Sequence, residues 1–354
     1  MSDENFLIYG AYGYTGELIA RLAVGRGHRP ILAGRDPLRL ARLAAELGCQ
    51  HVAFPLEDTG MMRQALGHVR CVLHCAGPFR YTAEPMARAC IEAGVHYLDI
   101  TGEIVAIEAL AAMDEAAQAA GAMLMPGVGF DVVPSDCLAA HLHRRLPTAT
   151  HLTLVIRALG GGISRGTATS MVESIGSATV VRRDGRLVTL PAGSLRRQFD
   201  LGRGPRECVA VGWGDVATAY RTTGIPNIEV YFALPSAAVR GLKLVRYAAP
   251  LLASAPARRA LKAAIRRAPA GPTPEQRARG SSLLWGEVVD AEGHRAAARL
   301  RTPEGYTLTA ETALAIAEQV LAGHATPGFQ TPARVFGPDF ILQFPGVQRD
   351  DISV

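Results

Sequence analysis

Lysine is nearly missing from this chain of 354 residues: Lys243 and Lys262 are the two present, and every other basic side chain is arginine. A GC-rich coding bias explains the pattern, and the pattern constrains the chemistry. The tyrosine mechanism of short-chain dehydrogenases needs Tyr-x-x-x-Lys, and no tyrosine here has a lysine four residues later. Gly161 to Gly166 resembles half of a nucleotide-triphosphate loop, but Thr167 stands where that loop needs its lysine. Both mechanisms are excluded. Long apolar runs are missing too. Nothing reaches the ~18 residues of a membrane span, and the best candidate, Tyr247 to Ala257, is broken by Pro250 and Pro256.

Metal-ligand spacing is also lacking. The six cysteines, Cys49, Cys71, Cys75, Cys90, Cys137 and Cys208, contain no Cys-x-x-Cys, and no His-Glu-x-x-His occurs. His141 and His143 lie two apart on an expected helix and so point to different faces. We expect no metal site and no disulfide framework. The net charge is +5, but the one basic cluster, Arg240 to Arg267, contains a single aromatic residue, Tyr247. Nucleic acid recognition would interleave the two, so no such partner is expected. The start, Ser2-Asp3-Glu4-Asn5, is acidic where a secretory leader is basic then apolar. A cytoplasmic protein is expected.

What the chain does have is alternation. Strand-like runs at Phe6–Tyr9, Pro30–Ala33, His51–Phe54, Cys71–Cys75, His96–Ile100 and Ala122–Met125 are separated by helix-like runs. Those helices are Glu17–Val24, Leu38–Leu47, Gly60–Leu66, Ala83–Ala93 and Ile104–Ala120. The pattern predicts an α/β Rossmann-type doubly wound parallel sheet. After Pro147 it changes. Short strand-like pieces, a helix near Thr167–Val180 and a hairpin over Ser282–Asp290 and His294–Thr302 predict a second α+β domain with a mixed or antiparallel sheet. The helical stretch Ala237–Arg267 carries leucines beside arginines, which suits ordinary packing or, less readily, a lipid surface. Gly271–Gly280 reads as a polar loop, and the tail after Thr331 as irregular. The expected organisation is 1–147 for the Rossmann domain, 148–308 for a substrate domain, and 309–354 for a helix, Thr309–Leu321, and tail that return to the first domain.

Gly10, Gly13 and Gly16, in "FLIYGAYGYTGELIA", sit where the first strand hands over to the first helix. A first helical turn has unpaired N–H groups and the positive end of the helix dipole. Gly10 permits the turn, Gly13 admits a pyrophosphate and Gly16 lets helix and strand pack closely. The dinucleotide site therefore takes Gly10, Tyr12, Gly13, Tyr14, Thr15 and Gly16. The second strand ends Ala33-Gly34-Arg35-Asp36. NAD-selective sites put a carboxylate there for the ribose hydroxyls, whereas the guanidinium of Arg35 suits a phosphate. Gly34 and Arg35 are assigned to the cofactor, and NADP(H) is expected over NAD(H). The alternative for Arg35 is a surface ion pair with Asp36.

Ligands of open α/β sheets bind where the strands end. Three stretches fall there: Cys75-Ala76-Gly77-Pro78-Phe79, Tyr97 to Glu103, and Pro126 to Pro134. Ala76, Gly77 and Pro78 join the cofactor site. With "GAYGYTG" and "LAGRD", these motifs resemble the saccharopine-dehydrogenase-like family, and above all its bacterial branch that includes the trans-acting enoyl reductases. The resemblance is specific over residues 1–140 and looser beyond, where "SRGTATS" (Ser164–Ser170) and "GFQTPA" (Gly328–Ala333) also match that branch.

The resemblance implies an NADP-dependent oxidoreductase whose substrate domain often dimerises. Members act on imines of amino acids or on enoyl groups carried by thioesters. It also implies arginines that clamp a substrate carboxylate, a role open to Arg157 and Arg165. Our expectation is hydride transfer to a C=C or C=N bond of a hydrophobic small-molecule or carrier-linked acyl substrate. A saccharopine-type amine dehydrogenase and a non-catalytic NADP-binding regulator are the alternatives. Reduction also requires a proton. The strand-end loops offer Tyr81, Asp99, Glu103 and Asp131. Asp131 and Tyr81 are the expected acids, with Glu103 and Asp99 as positioning groups.

Overall fold

A computed structural model describes residues 5–173, 178–202, 204–233 and 254–353. The chain divides into two compact units: Met1–Val133 with Tyr306–Phe336, and Pro134–Gly305 with Gly337–Val354. The division falls between Val133 and Pro134, at the first residue of the helix Val133–Arg145, where 147/148 was expected, and it splits the expected C-terminal segment at 336/337.

The first unit is built on strands β1 (Phe6–Tyr9), β2 (Ile31–Gly34), β3 (His51–Ala53), β4 (Cys71–His74), β5 (His96–Asp99) and β6 (Met123–Met125), with a further pair at Gly328–Phe329. They form a seven-stranded sheet in the order Gly328–Phe329, β6, β5, β4, β1, β2, β3. All neighbours are parallel. Because helices cover a parallel sheet, its central strands carry apolar residues at successive positions and do not alternate, with polar residues confined to their ends. Leu7, Ile8, Leu32, Val72, Leu73, Leu98 and Leu124 are all fully buried. Each such side chain stabilises the fold by roughly 1.5–3 kcal/mol.

Two details depart from the sequence pattern. The seventh strand is too short to show a period. The helix expected over Ile104–Ala120 is two, Ile104–Ala111 and Asp114–Ala119. The break places Asp114 so that its Oδ1 accepts the Phe329 N–H at 2.6 Å, which pins the seventh strand. The helix Gly305–Leu321 belongs to this unit. Its Thr309 Oγ1 accepts from the Phe130 N–H at 3.0 Å, and Thr312 Oγ1 donates to the Val128 carbonyl at 2.8 Å.

The second unit has nine described strands. Seven form a path from Arg196–Asp200 through Pro205–Ala210, Asn227–Ala233, His151–Leu159, Ser281–Val289 and Arg295–Pro303 to Gln348–Ile352. The pairing of Asn227–Ala233 with His151–Leu159 is parallel and the others are antiparallel, so the sheet is mixed. The expected helix Thr167–Val180 is instead a helix Arg165–Glu173 and a strand Thr179–Arg183. The expected loop Gly271–Gly280 holds a helix, Pro274–Arg279, begun by a capping box between Thr273 and Gln276. The tail is not irregular: Gln348–Ile352 is an edge strand whose polar residues hide its period. Of the stretch Ala237–Arg267, residues 237–253 lie outside the described residues, and Ala255–Arg267 is a helix. No helix among the described residues is long and apolar enough to cross a membrane.

Candidate functional site

The turn after β1 is made by backbone alone. Gly10 adopts φ +84°, in the left-handed region, and its N–H bonds the Ala33 carbonyl at 2.8 Å. A Cβ on Gly10 would stand 2.9 Å from the Cβ of Ala76, so the turn and the loop after β4 touch. A Cβ on Gly16 would stand 2.4 Å from the Gly10 carbonyl oxygen. Gly13 caps the helix Tyr14–Gly25 without a side chain, and a Cβ there would meet nothing within 4 Å but the Gly10 oxygen, at 3.1 Å. The face of the helix N-terminus is therefore bare backbone, and a phosphate fits it. Thr15 lies in that first turn, and Tyr14 packs edge-on against Tyr306 at 5.0 Å.

At the end of β2, Tyr12 lies over Gly34; a Cβ on Gly34 would be 2.7 Å from the Tyr12 ring. Arg35 is exposed. Asp36 is not its ion-pair partner: Asp36 Oδ1 accepts the N–H groups of Leu38 and Arg39, each at 3.1 Å, and caps the helix Pro37–Leu47. Thus the carboxylate that follows Arg35 serves its own helix. Arg39 was not singled out by the sequence reading. Its signal was available: a cation in a first turn that holds no acid.

The loops after β4, β5 and β6 are joined by a relay of hydrogen bonds. Asp99 is fully buried. Its Oδ1 accepts from the Thr101 and Gly127 N–H groups, both at 2.9 Å, and its Oδ2 accepts from the Tyr97 hydroxyl at 2.7 Å. Burial raises its carboxyl to about 6, against the lowering effect of those three donors. Thr101 Oγ1 then accepts the Glu103 N–H at 3.0 Å. The Glu103 carboxylate accepts from the Phe79 N–H at 2.9 Å, and from the Arg80 N–H and Nε at 3.2 Å each. Glu103 begins the helix Ile104–Ala111 but caps a different one, Phe79–Ala93. Ala76 is tied into the same corner through its carbonyl, which accepts from Thr82 at 2.7 Å; Gly77 and Pro78 complete the turn.

Asp131 stands against Gly102, where a Cβ would be 3.0 Å from its Oδ2. Asp131 is exposed to solvent. Tyr81, on the first turn of Phe79–Ala93, is 62% exposed. The structure thus gathers Asp99, Glu103 and Asp131 around residues 99–103 and leaves the Tyr81 phenol open to solvent. Arg157 and Arg165 belong to the second unit; Arg165 is exposed and donates to the Arg266 carbonyl at 3.4 Å.

No motif marks His74. It ends β4 fully buried, packed by Tyr9, Phe79 and Tyr97, and neither ring nitrogen has a hydrogen-bond partner. Burial lowers its pKa to about 3, so it is neutral.

Residues 6–125 match the family described as saccharopine dehydrogenase NADP binding domain. The expected resemblance holds over this stretch. A trans-acting enoyl reductase of Mycobacterium leprae is 33% identical over 152 residues, covering 41% of this chain and 36% of the relative. A putative trans-acting enoyl reductase of Mycobacterium tuberculosis is 30% identical over 190 residues, covering 50% and 45%. A probable mitochondrial saccharopine dehydrogenase-like oxidoreductase of Arabidopsis thaliana is 31% identical over 150 residues, covering 37% and 33%. The matches span less than half the length of these curated relatives. Among solved structures, the apo saccharopine dehydrogenase (L-Glu forming) of Saccharomyces cerevisiae superposes with a TM-score of 0.68 at 11% identity, covering 99% of this chain and all of that one. The fold is shared.

Proposed function

We propose that the protein is an NADP(H)-dependent reductase acting on a C=C bond of an enoyl group, or on a C=N bond, in a hydrophobic small-molecule or carrier-linked substrate. The observation that carries the reading is the side-chain-free turn at Gly10, Gly13 and Gly16 inside a domain of NADP-binding type. The enoyl preference comes from the names of the mycobacterial relatives.

Gly13 and the N–H groups of the first helical turn hold the pyrophosphate, and Arg35 takes the 2′-phosphate that separates NADP from NAD. Bound NADPH supplies a hydride. The residues of this chain supply the rest. Asp99 and Glu103 fix the strand-end loops and are spent on hydrogen bonds. Asp131 Oδ2 and Tyr81 Oη are the groups we assign to proton delivery. Both groups are exposed, so each can be reprotonated from water after it has given up its proton. The shared fold favours a second reading, a saccharopine-type amine dehydrogenase. We also infer a homodimer in a reducing, cytoplasmic setting, which the six free cysteines suit.

The test is NADPH oxidation by the full chain against two panels, enoyl thioesters of graded chain length and imines formed from amino acids and oxo acids. Turnover confined to the enoyl panel supports the first reading, and turnover confined to the imines supports the second. Tight NADPH binding with no turnover on either panel indicates a non-catalytic regulator. A chain that binds no NADPH overturns all three.

A further inference from the structure

Tyr12 makes five separate contacts at the end of β2. Its ring covers Gly34. Its hydroxyl oxygen accepts the N–H groups of Arg35 at 3.2 Å and Asp36 at 3.3 Å. Its carbonyl accepts from Arg39 Nη2 at 2.9 Å. Its ring carries the Arg39 guanidinium, with Cζ 4.4 Å from the centroid. A single side chain from the glycine turn thus sets the backbone of one arginine and the side chain of another.

The charges there are uncompensated. Among the described residues, neither Arg35 nor Arg39 has a carboxylate partner. Some arginines of the same unit have one, as Arg21 with Glu17 and Glu46, Arg26 with Glu311 and Glu318, Arg80 with Glu103, and Arg88 with Glu84, whereas Arg29, Arg42, Arg70 and Arg334 do not; what sets Arg35 and Arg39 apart is that Tyr12 holds both. Arg39 also sits in the first turn of Pro37–Leu47, at the positive end of that helix, with no acid in the turn. A cation there is opposed by the helix dipole. The stack on Tyr12 desolvates one face of the guanidinium and leaves its outer edge free to form paired hydrogen bonds. A dianion against Arg35 and Arg39 reverses every unfavourable charge contact in the cluster.

We propose that Arg39 is a specificity-determining residue of the cofactor site, gripping the 2′-phosphate of an adenosine together with Arg35. Tyr12 is the positioning residue that holds both arginines in place. The inference rests on the NADP(H) reading and adds to it the residues that make the choice. It also gives the glycine turn a second task, because the residue between Gly10 and Gly13 connects the pyrophosphate site to the 2′-phosphate site.

The test is binding, read by calorimetry on the full chain, with 2′,5′-ADP and 5′-AMP as probes beside NADPH and NADH. The variants are Arg39→Ala, Arg39→Lys, Tyr12→Phe and Tyr12→Ala, with thermal unfolding as the control for folding. Arg39→Ala is expected to weaken NADPH and 2′,5′-ADP by about tenfold or more, and NADH and 5′-AMP by less than about twofold. Arg39→Lys recovers part of the loss because lysine keeps the charge but not the planar fork. Tyr12→Phe keeps the stacked ring and loses a few-fold for NADPH, while Tyr12→Ala loses at least as much as Arg39→Ala. Equal losses for NADPH and NADH in Arg39→Ala overturn the proposal, because they indicate a structural role. Unchanged NADPH affinity in Arg39→Ala overturns it as well. If the unaltered chain binds neither dinucleotide, the cofactor reading fails first and the proposal with it; that outcome is distinguishable because it appears before any substitution.

Discussion

Glu103 caps a helix that it does not belong to: its Oε1 accepts the Phe79 N–H at 2.9 Å, across 24 residues of sequence. An N-terminal helix N–H is otherwise unpaired, and a carboxylate at that end also meets the helix dipole favourably. The ion pair with Arg80 is partly exposed, so it adds little beyond geometry. We expect Glu103→Ala to lower unfolding free energy by about 1–3 kcal/mol, and Glu103→Gln by less. Urea denaturation measures both. No loss in either variant would mean that water caps the helix equally well.

Two of the glycines separate folding from binding. Gly16→Ala puts a methyl 2.4 Å from a carbonyl that cannot move without the turn. Its expected outcome is a loss of several kcal/mol, of the order seen for overpacked sites, and a lower melting temperature. Gly13→Ala meets one atom, at 3.1 Å, with φ −73°, which alanine tolerates. It is expected to fold within about 1 kcal/mol of the unaltered chain and to lose NADPH affinity. Equal melting temperatures for the two variants would contradict this division.

Asp99 and His74 make opposite demands on pH. The Asp99 carboxyl is raised from 3.8 to about 6 in the folded chain. Its contribution to stability is full below about 4 and lost as pH rises through 6. His74 is lowered from 6.5 to about 3. Its contribution is full above 6.5 and lost as pH falls toward 3. In the intact chain the two slopes oppose each other between about pH 4 and 6. His74→Phe removes the acid-side loss, so this variant gains stability on acidification through that window relative to the unaltered chain. It also removes two unpaired buried nitrogens, so it is more stable at pH 7 by about 1–3 kcal/mol. Asp99→Asn does the reverse through the acid window. Parallel stability profiles for all three proteins would refute the assignment.

Asp131→Asn and Tyr81→Phe test proton delivery once a substrate is in hand. The true donor loses turnover by roughly a hundredfold or more, while calorimetric NADPH affinity is retained. Unaltered rates in both variants would point to water as the proton source.

The Rossmann strands were legible because a parallel sheet buried on both faces writes itself as continuous apolar runs such as FLIY and CVLH, with full burial at each residue. The glycine turn was legible from spacing. Partners that meet only in space were not. Nothing near Glu103 announces Phe79, and nothing near Asp114 announces Phe329. Arg196–Asp200 went unseen as a strand because four of its five residues are charged or polar. His74 was passed over as one more member of an apolar run, which by position it is. Arg39 left a trace, an arginine beside the cap Asp36 where an acid would be favoured, but its contact with Tyr12 depends on how β1 and β2 align.

The two-residue strand at Gly328–Phe329 sets a timetable. A ribosome makes the glycine turn first and delivers the outer edge of the same sheet more than three hundred residues later. Until then the β6 edge is unpaired, and the carbonyl of Val128 and the amide of Phe130 lack Thr312 and Thr309. A nascent chain that stops at Gly271–Gly280, or a fragment cut there, has every residue assigned to the dinucleotide and still lacks the edge that completes their sheet. The unit that holds the glycine turn is complete only when Gly328–Phe329 has joined β6.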